Sequence, residues 1–147
     1  MRWSSLIPTE HQEQVAVIQW AKAMHTVLPE LKLLFAIPNG GMRPRVKFFK
    51  KGKIVDISPE GQKLRKEGVQ PGVPDLLLPV ARHGYHGLFV EMKRNGESQS
   101  PAQEAWEALL LDQGYAVSVC HGTDVAIAEL SGYLALKAWK PIGGKVQ

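Results

Sequence analysis

The sequence predicts an α/β domain in which a mixed central sheet is flanked by helices, and three observations lead there. Short apolar runs of strand length, bounded by Pro and Gly, alternate with longer segments whose apolar residues recur at helical spacing. Two of those helical segments open on capping sequences, Thr9-Glu10-His11-Gln12 and Ser100-Pro101-Ala102-Gln103. Finally, 147 residues suit one domain, which at this size buries about two thirds of its unfolded surface and needs no disulfide or metal to fold.

Taken in order, the first helix starts after Pro8, with Thr9 as its cap and Val17, Trp20, Ala21 and Met24 as its buried face. A strand is expected over about residues 33–37, ended by the turn residues Pro38-Asn39-Gly40-Gly41. Residues 46–49 and 54–57 then read as a hairpin around Lys51-Gly52. Ser58-Pro59-Glu60 opens a short helix to about Glu67, and residues 68–72 loop into a strand carrying Asp75. A short connection at about 81–85 leads to the strand of Glu91. Ser100, Pro101 and Gln103 start the next helix, buried through Trp106, Leu109 and Leu110. Gly114 turns the chain into a strand at 115–120, and Thr123 or Asp124 caps a last helix with Ile127, Leu130 and Leu134 in the core. The last two helices are expected to cover one face of the sheet. The whole is read as a single domain over 1–147, with a core at about 9–136, a basic insertion at about 42–70 and a frayed tail at about 138–147.

Composition narrows the class. A single cysteine, Cys120 in an apolar run, forms no internal bridge and reads as a core thiol. No apolar stretch is long enough to span a bilayer, and residues 1–7 lack the layout of a secretory signal, so a cytoplasmic protein is expected. Lys and Arg outnumber Asp and Glu by 18 to 14, a surplus that permits nucleic-acid binding without demanding it. His11, His25, His83, His86 and His121 are too dispersed for a zinc site.

The chemistry-bearing feature lies in Gly72-Val73-Pro74-Asp75-Leu76-Leu77-Leu78 and Gly87-Leu88-Phe89-Val90-Glu91-Met92-Lys93. Residues two apart on a strand point the same way, so Glu91 and Lys93 share a face with Phe89, while Leu88, Val90 and Met92 share the other. If the two segments pair as a hairpin, Asp75 comes beside Glu91. Two carboxylates held that close repel unless a cation lies between them, and hard oxygen ligands with room for water are what Mg²⁺ prefers. With Lys93 placed to position a water or stabilise a phosphate, the chemistry is phosphodiester hydrolysis. The plain structural alternative is a solvated ion pair on an edge strand. Acids in the first turn of the first helix also aim toward this site, but periodicity does not choose between Glu10 and Glu13, and the helix dipole alone favours both.

Pro74-Asp75 with Glu91-Met92-Lys93 resembles the PD-(D/E)xK nuclease signature. More specifically, the chain resembles the virus-type replication-repair nuclease (VRR-NUC) family over about residues 9–135, through Thr9-Glu10 with Gln14, Pro38-Asn39-Gly40-Gly41, Gly72-Val73-Pro74-Asp75, Glu91-Met92-Lys93, Ser100-Pro101-Ala102-Gln103 and Gly114-Tyr115-Ala116-Val117. A bare Asp…Glu-x-Lys pattern is common, whereas this ordered set is specific. The resemblance implies a restriction-endonuclease-like fold and selects Glu10 over Glu13. It implies that Asp75, Glu91 and the Met92 backbone carbonyl hold Mg²⁺, for which Mn²⁺ substitutes, joined by Glu10 directly or through water. It further implies that Lys93 orients or helps deprotonate the attacking water, and that Gln103, besides capping its helix, assists.

The expected activity is therefore a metal-dependent DNA endonuclease. Asn39 and the strip Arg43, Arg45, Lys47, Lys50, Lys51 and Lys53, interleaved with Phe48 and Phe49, are expected to contact DNA. The family's association with phage and branched DNA implies a junction-cutting role in a phage-infected or prophage-carrying host. Paired cuts across a four-way junction call for a two-fold homodimer. The alternatives are a non-catalytic DNA-binding module of the same fold and a sequence-specific restriction-type enzyme, the latter needing recognition elements for which the insertion leaves little room.

Overall fold

In the computed structural model, which describes residues 7–39 and 45–143, a four-stranded sheet carries four helices and a separate hairpin. The elements are α1 (Glu10–Met24), a 3-10 turn (Pro29–Leu33), β1 (Phe35–Ala36), β2 (Val46–Lys50), β3 (Lys53–Ile57), α2 (Pro59–Lys66), β4 (Leu76–Leu78), β5 (Leu88–Lys93), α3 (Pro101–Asp112), β6 (Ala116–His121) and α4 (Thr123–Leu134). The sheet order is β1-β4-β5-β6, with β2 and β3 forming their own two-stranded sheet. β4 runs antiparallel to both β1 and β5, whereas β5 and β6 are parallel. A parallel pair needs a crossover, which α3 supplies. The sheet is mixed and flanked by helices, as the sequence predicted.

β5 lies in the interior of the sheet, which rules out the edge-strand reading, and every one of its residues is buried. On one face Leu88, Val90 and Met92 join Leu76, Leu78, Ala116 and Cys120 under Val17 and Ala21 of α1 and Ala126, Leu130, Tyr133 and Leu134 of α4. On the other face α3 reaches Glu91 through Gln103. The helices after β5 are thus split between the two faces, where one face was expected for both; a helix crossing between parallel neighbours and the helix that follows it here take opposite sides.

Local expectations fared unevenly. Both capping boxes form, Thr9 with Gln12 and Ser100 with Gln103, and Ser58 caps α2. Lys51 (φ 50°) and Gly52 (φ 75°) make the hairpin turn, the pair of positive φ angles that a tight two-residue connection requires. The strand expected at 33–37 shrinks to two residues because Pro29 starts a 3-10 turn that takes Leu33. In α3 the buried positions are Glu107 and Leu111, while Leu109 is 61% exposed. The cap of α4 is Gly122, with no capping side chain of its own, in place of Thr123 or Asp124.

The tail is not frayed as far as Gly143. Trp139 packs edge-on against Tyr133 and Tyr85, and Val119 of the edge strand β6 donates to the Ile142 carbonyl at 2.9 Å. An edge strand leaves backbone groups unpaired, and this segment covers part of that edge.

Gly72 anchors the approach to β4. It sits at φ 91°, and a Cβ there would lie 2.6 Å from the Ala102 carbonyl in the first turn of α3. Gly52 has a similar positive φ, yet a Cβ there meets nothing. Gly72→Ala is therefore expected to cost more stability than Gly52→Ala, by about 1–3 kcal/mol, measured as a larger drop in thermal midpoint. Equal drops would remove the close approach as the cause.

Candidate active site

The β4–β5 register sets the site. Leu76 pairs with Val90 and Leu78 with Leu88, so continuing the ladder by one residue puts Asp75 opposite Glu91. Asp75 Oδ2 accepts from the Met92 amide at 2.7 Å, and Oδ1 accepts from Asn39 Nδ2 at 2.6 Å. Glu91 Oε1 accepts from Gln103 Nε2 at 2.8 Å, while the same amide's oxygen accepts from the Ser100 backbone at 2.8 Å. Gln103 thus caps α3 and tethers Glu91 with one side chain. Asp75, Glu91 and Lys93 are only 7%, 2% and 9% exposed. Charged groups this buried are held by partners or by their function.

Lys93 Nζ stands 3.8 Å from Glu91 Oε1 and 3.8 Å from Glu10 Oε1, so α1 delivers Glu10 to the same ammonium. Glu13 does something else. Its carboxylate accepts from the Thr123 amide at 2.7 Å and from the Thr123 hydroxyl, capping α4 from a neighbouring helix. One helical turn therefore separates a site acid from a structural one. Sequence reasoning missed Glu97, in the turn after β5, which lies near enough to Glu10 to raise its carboxyl. The only signal was an acid four residues past Lys93. His121, paired in register with Lys93, steadies this turn by contacting the Glu97 carbonyl at 2.8 Å.

Burial pushes the Glu91 carboxyl up to about 9, with the nearby Asp75 charge adding to the rise and Lys93 opposing it. Asp75 is raised by burial, against the Met92 amide and the other donors. Burial and Glu97 raise Glu10. Glu91 Oε2 is buried with no hydrogen-bond partner among the described residues. A divalent cation fits this donor set, since it would satisfy the orphaned oxygen and offset the repulsion between the carboxylates. Among the described residues no three His, Cys, Asp or Glu side chains gather closely enough to hold an ion alone. Water and a substrate oxygen would complete the coordination, as is usual for Mg²⁺.

Of the expected DNA contacts, Asn39 faces the site through Asp75, and Arg43 lies outside the described residues, as do Gly40 and Gly41. Arg45 is engaged within the hairpin, its Nε 2.9 Å from Asp56 Oδ1. Lys47, Lys50, Lys51 and Lys53 stand exposed on the hairpin.

A family model described as the VRR-NUC domain matches residues 41–124, more than half of the chain. The chain belongs to the VRR-NUC family. The match spans Asp75, Glu91, Lys93 and Gln103 and leaves out Glu10 and Asn39, which only the fold brings to the site. A solved structure of a VRR_NUC domain protein superposes with a TM-score of 0.65 at 24% identity, covering 92% of this chain and 96% of that one, and shows the shared fold. No curated protein gives a significant match. This VRR-NUC domain therefore has a nuclease-type fold, with DNA as its class of substrate. No helix among the described residues is long and apolar enough to cross a membrane.

A raised carboxyl pKa stabilises the fold while the group is protonated. That contribution is complete below the ordinary value of 4.5 and is lost as pH rises through about 9. In chelator, Glu91→Gln is expected to melt close to the parent at acid pH and increasingly above it as pH rises through this window. A melting difference independent of pH would refute the burial of an ionisable group at this position.

Proposed function

We propose that this protein is a Mg²⁺-dependent DNA endonuclease acting on branched DNA, including four-way junctions. The observation that supports it most is the placement of Lys93 between Glu91 and Glu10, on an interior strand beside Asp75. A solvated ion pair has no need of an interior strand, two carboxylates and a helix aimed at one ammonium.

Asp75 and Glu91 would hold the ion, with the Met92 carbonyl and, directly or through water, Glu10. When bound, it supplies charge stabilisation for the phosphate and lowers the pKa of a water. Hydrolysis forms one P–O bond from water and breaks the bond to a sugar oxygen. Lys93 orients the attacking water and offsets charge growing on the phosphate. Gln103 and Asn39 fix the carboxylates, since each amide donates to one of them. Glu10, as close to the Lys93 ammonium as Glu91 is, helps set its position. A homodimer would place two such sites symmetrically for paired nicks across a four-way junction.

Asp75→Asn, Glu91→Gln and Lys93→Met are each expected to reduce cleavage about a hundredfold or more while the circular dichroism spectrum stays native. Glu10→Gln should lose far more activity than Glu13→Gln, whose cost falls on stability. The assay is a panel of linear, flap and four-way DNA with Mg²⁺, with Mn²⁺ and with chelator. Full cleavage by any two of the first three variants would refute the site, and binding without cleavage by the parent under every condition would make the chain a DNA-binding module.

For the basic strip, contact with about five phosphates would lower affinity roughly 10²- to 10³-fold between about 50 and 200 mM salt. Replacing Lys50, Lys51 and Lys53 by Gln should reduce the logarithmic salt slope by about 3. A slope unchanged in the triple variant would assign these lysines to solvent.

A further inference from the structure

The β2–β3 hairpin pairs only with itself and takes no part in the main sheet. Its register sorts the side chains onto two faces. Val46 with Ile57, Phe48 with Val55 and Lys50 with Lys53 share one; Lys47 with Asp56 and Phe49 with Ile54 share the other. On the second face, next to the turn, Phe49 and Ile54 are 74% and 72% exposed. Scattered apolar side chains on a surface are ordinary. Here an aromatic and a branched aliphatic stand directly opposite each other, one position from the tip of an arm, where a solvated hairpin would carry polar residues.

The surrounding charge identifies what covers them. From Arg45 to Ile57 the arm has five cations and one carboxylate, and that carboxylate is bound to Arg45. The surplus of four equals the formal net charge of the whole chain, +4. Lys50 and Lys53 face each other beside Lys51 at the turn, a like-charge group that would repel a second copy of the same arm. A polyanion offering a flat apolar face satisfies both features. In intact duplex DNA the base faces are hidden in the stack, whereas at a branch point or strand end they are open.

We propose that the arm is a stacking element, in which Phe49, backed by Ile54, takes an unpaired base while Lys47, Lys50, Lys51 and Lys53 hold the phosphates on either side. This rests on the reading of DNA as substrate and gives the preference for branched DNA a physical source: the arm recognises an exposed base face and reads no sequence.

The test is equilibrium binding of the full chain in chelator, so that no cleavage occurs, to a fork carrying 2-aminopurine at the branch and to a blunt duplex of equal length. Phe49→Ala is expected to lower the ratio of fork to duplex affinity roughly 5- to 150-fold, the factor for one lost base–aromatic stack, and to abolish quenching of the probe. Phe49→Trp should restore both. The Lys50, Lys51 and Lys53 triple variant should weaken both substrates and leave the ratio in place. An unchanged ratio in Phe49→Ala, with quenching retained, would overturn the proposal. So would loss of oligomeric state by light scattering with the ratio intact, which would make the arm an interface between copies. Failure here leaves the cleavage assay of the acidic site unaffected, and failure of that assay leaves the fork-to-duplex ratio measurable.

Discussion

Two carboxyl groups are placed side by side in the interior of a sheet, Asp75 at the entry to β4 and Glu91 on β5, and the rest of the structure is arranged around the cost of that placement. An isolated buried carboxylate is expensive and its neighbour makes it more so. Each oxygen but one is answered: Asn39 and the Met92 amide donate to Asp75, and Gln103 donates to Glu91. The exception, Glu91 Oε2, leaves the arrangement incomplete in the protein alone. Catalytic sites are where such unfavourable arrangements are retained, because the same burial strengthens any charge interaction made there.

The scaffold around this pair is built from local chemistry with two uses. Gln103 closes a capping box and holds Glu91; had either use been absent, helix α3 could begin at a different angle or Glu91 could turn away. Gly72 lets the chain entering β4 touch the first turn of α3, so Asp75 and Gln103 are referred to the same contact. Glu13 joins α1 to the start of α4, whose own Gly122 provides no capping side chain. With α1 fixed there, Glu10, nearly one turn earlier, is carried toward Lys93. The position of a site acid thus depends on a capping interaction between helices that lies outside the site.

Much of this was legible because it is written in short-range code. Capping boxes, the Lys51-Gly52 turn and the alternation that puts Glu91 and Lys93 on one face follow from residues within four positions of one another. What was not legible depends on partners distant in sequence. Nothing near Thr123 says that its cap comes from residue 13, and nothing in a Lys-, Gly- and Pro-rich tail says that Trp139 will find Tyr133 or that Ile142 will meet an unpaired edge. Helix α3 misled in another way: its apolar residues nearly encircle it, so periodicity placed Leu109 inside, whereas the face fixed by Gln103 and Glu91 turns Glu107 and Leu111 inward. The contact at the site overrode the hydrophobic count. Glu10 and Glu13 show the limit most clearly, being alike in type, turn and dipole benefit, and separable only by what stands opposite each.

The separation of charge along the chain follows from the same constraint. A site that gathers Asp75, Glu91 and Glu10 near Lys93, with Glu97 beside Glu10, does not attract a phosphate backbone by its own charge. Attraction to a polyanion would then come from elsewhere. The surplus of positive charge is found instead on an arm outside the main sheet, entered soon after Asn39 and left through α2 and the loop that ends at Gly72. That connection ties the arm at both ends to strands that build the site. On the proposed function, the chain path would hold the basic arm and the acidic site on one substrate, with binding and hydrolysis resting on separate residues.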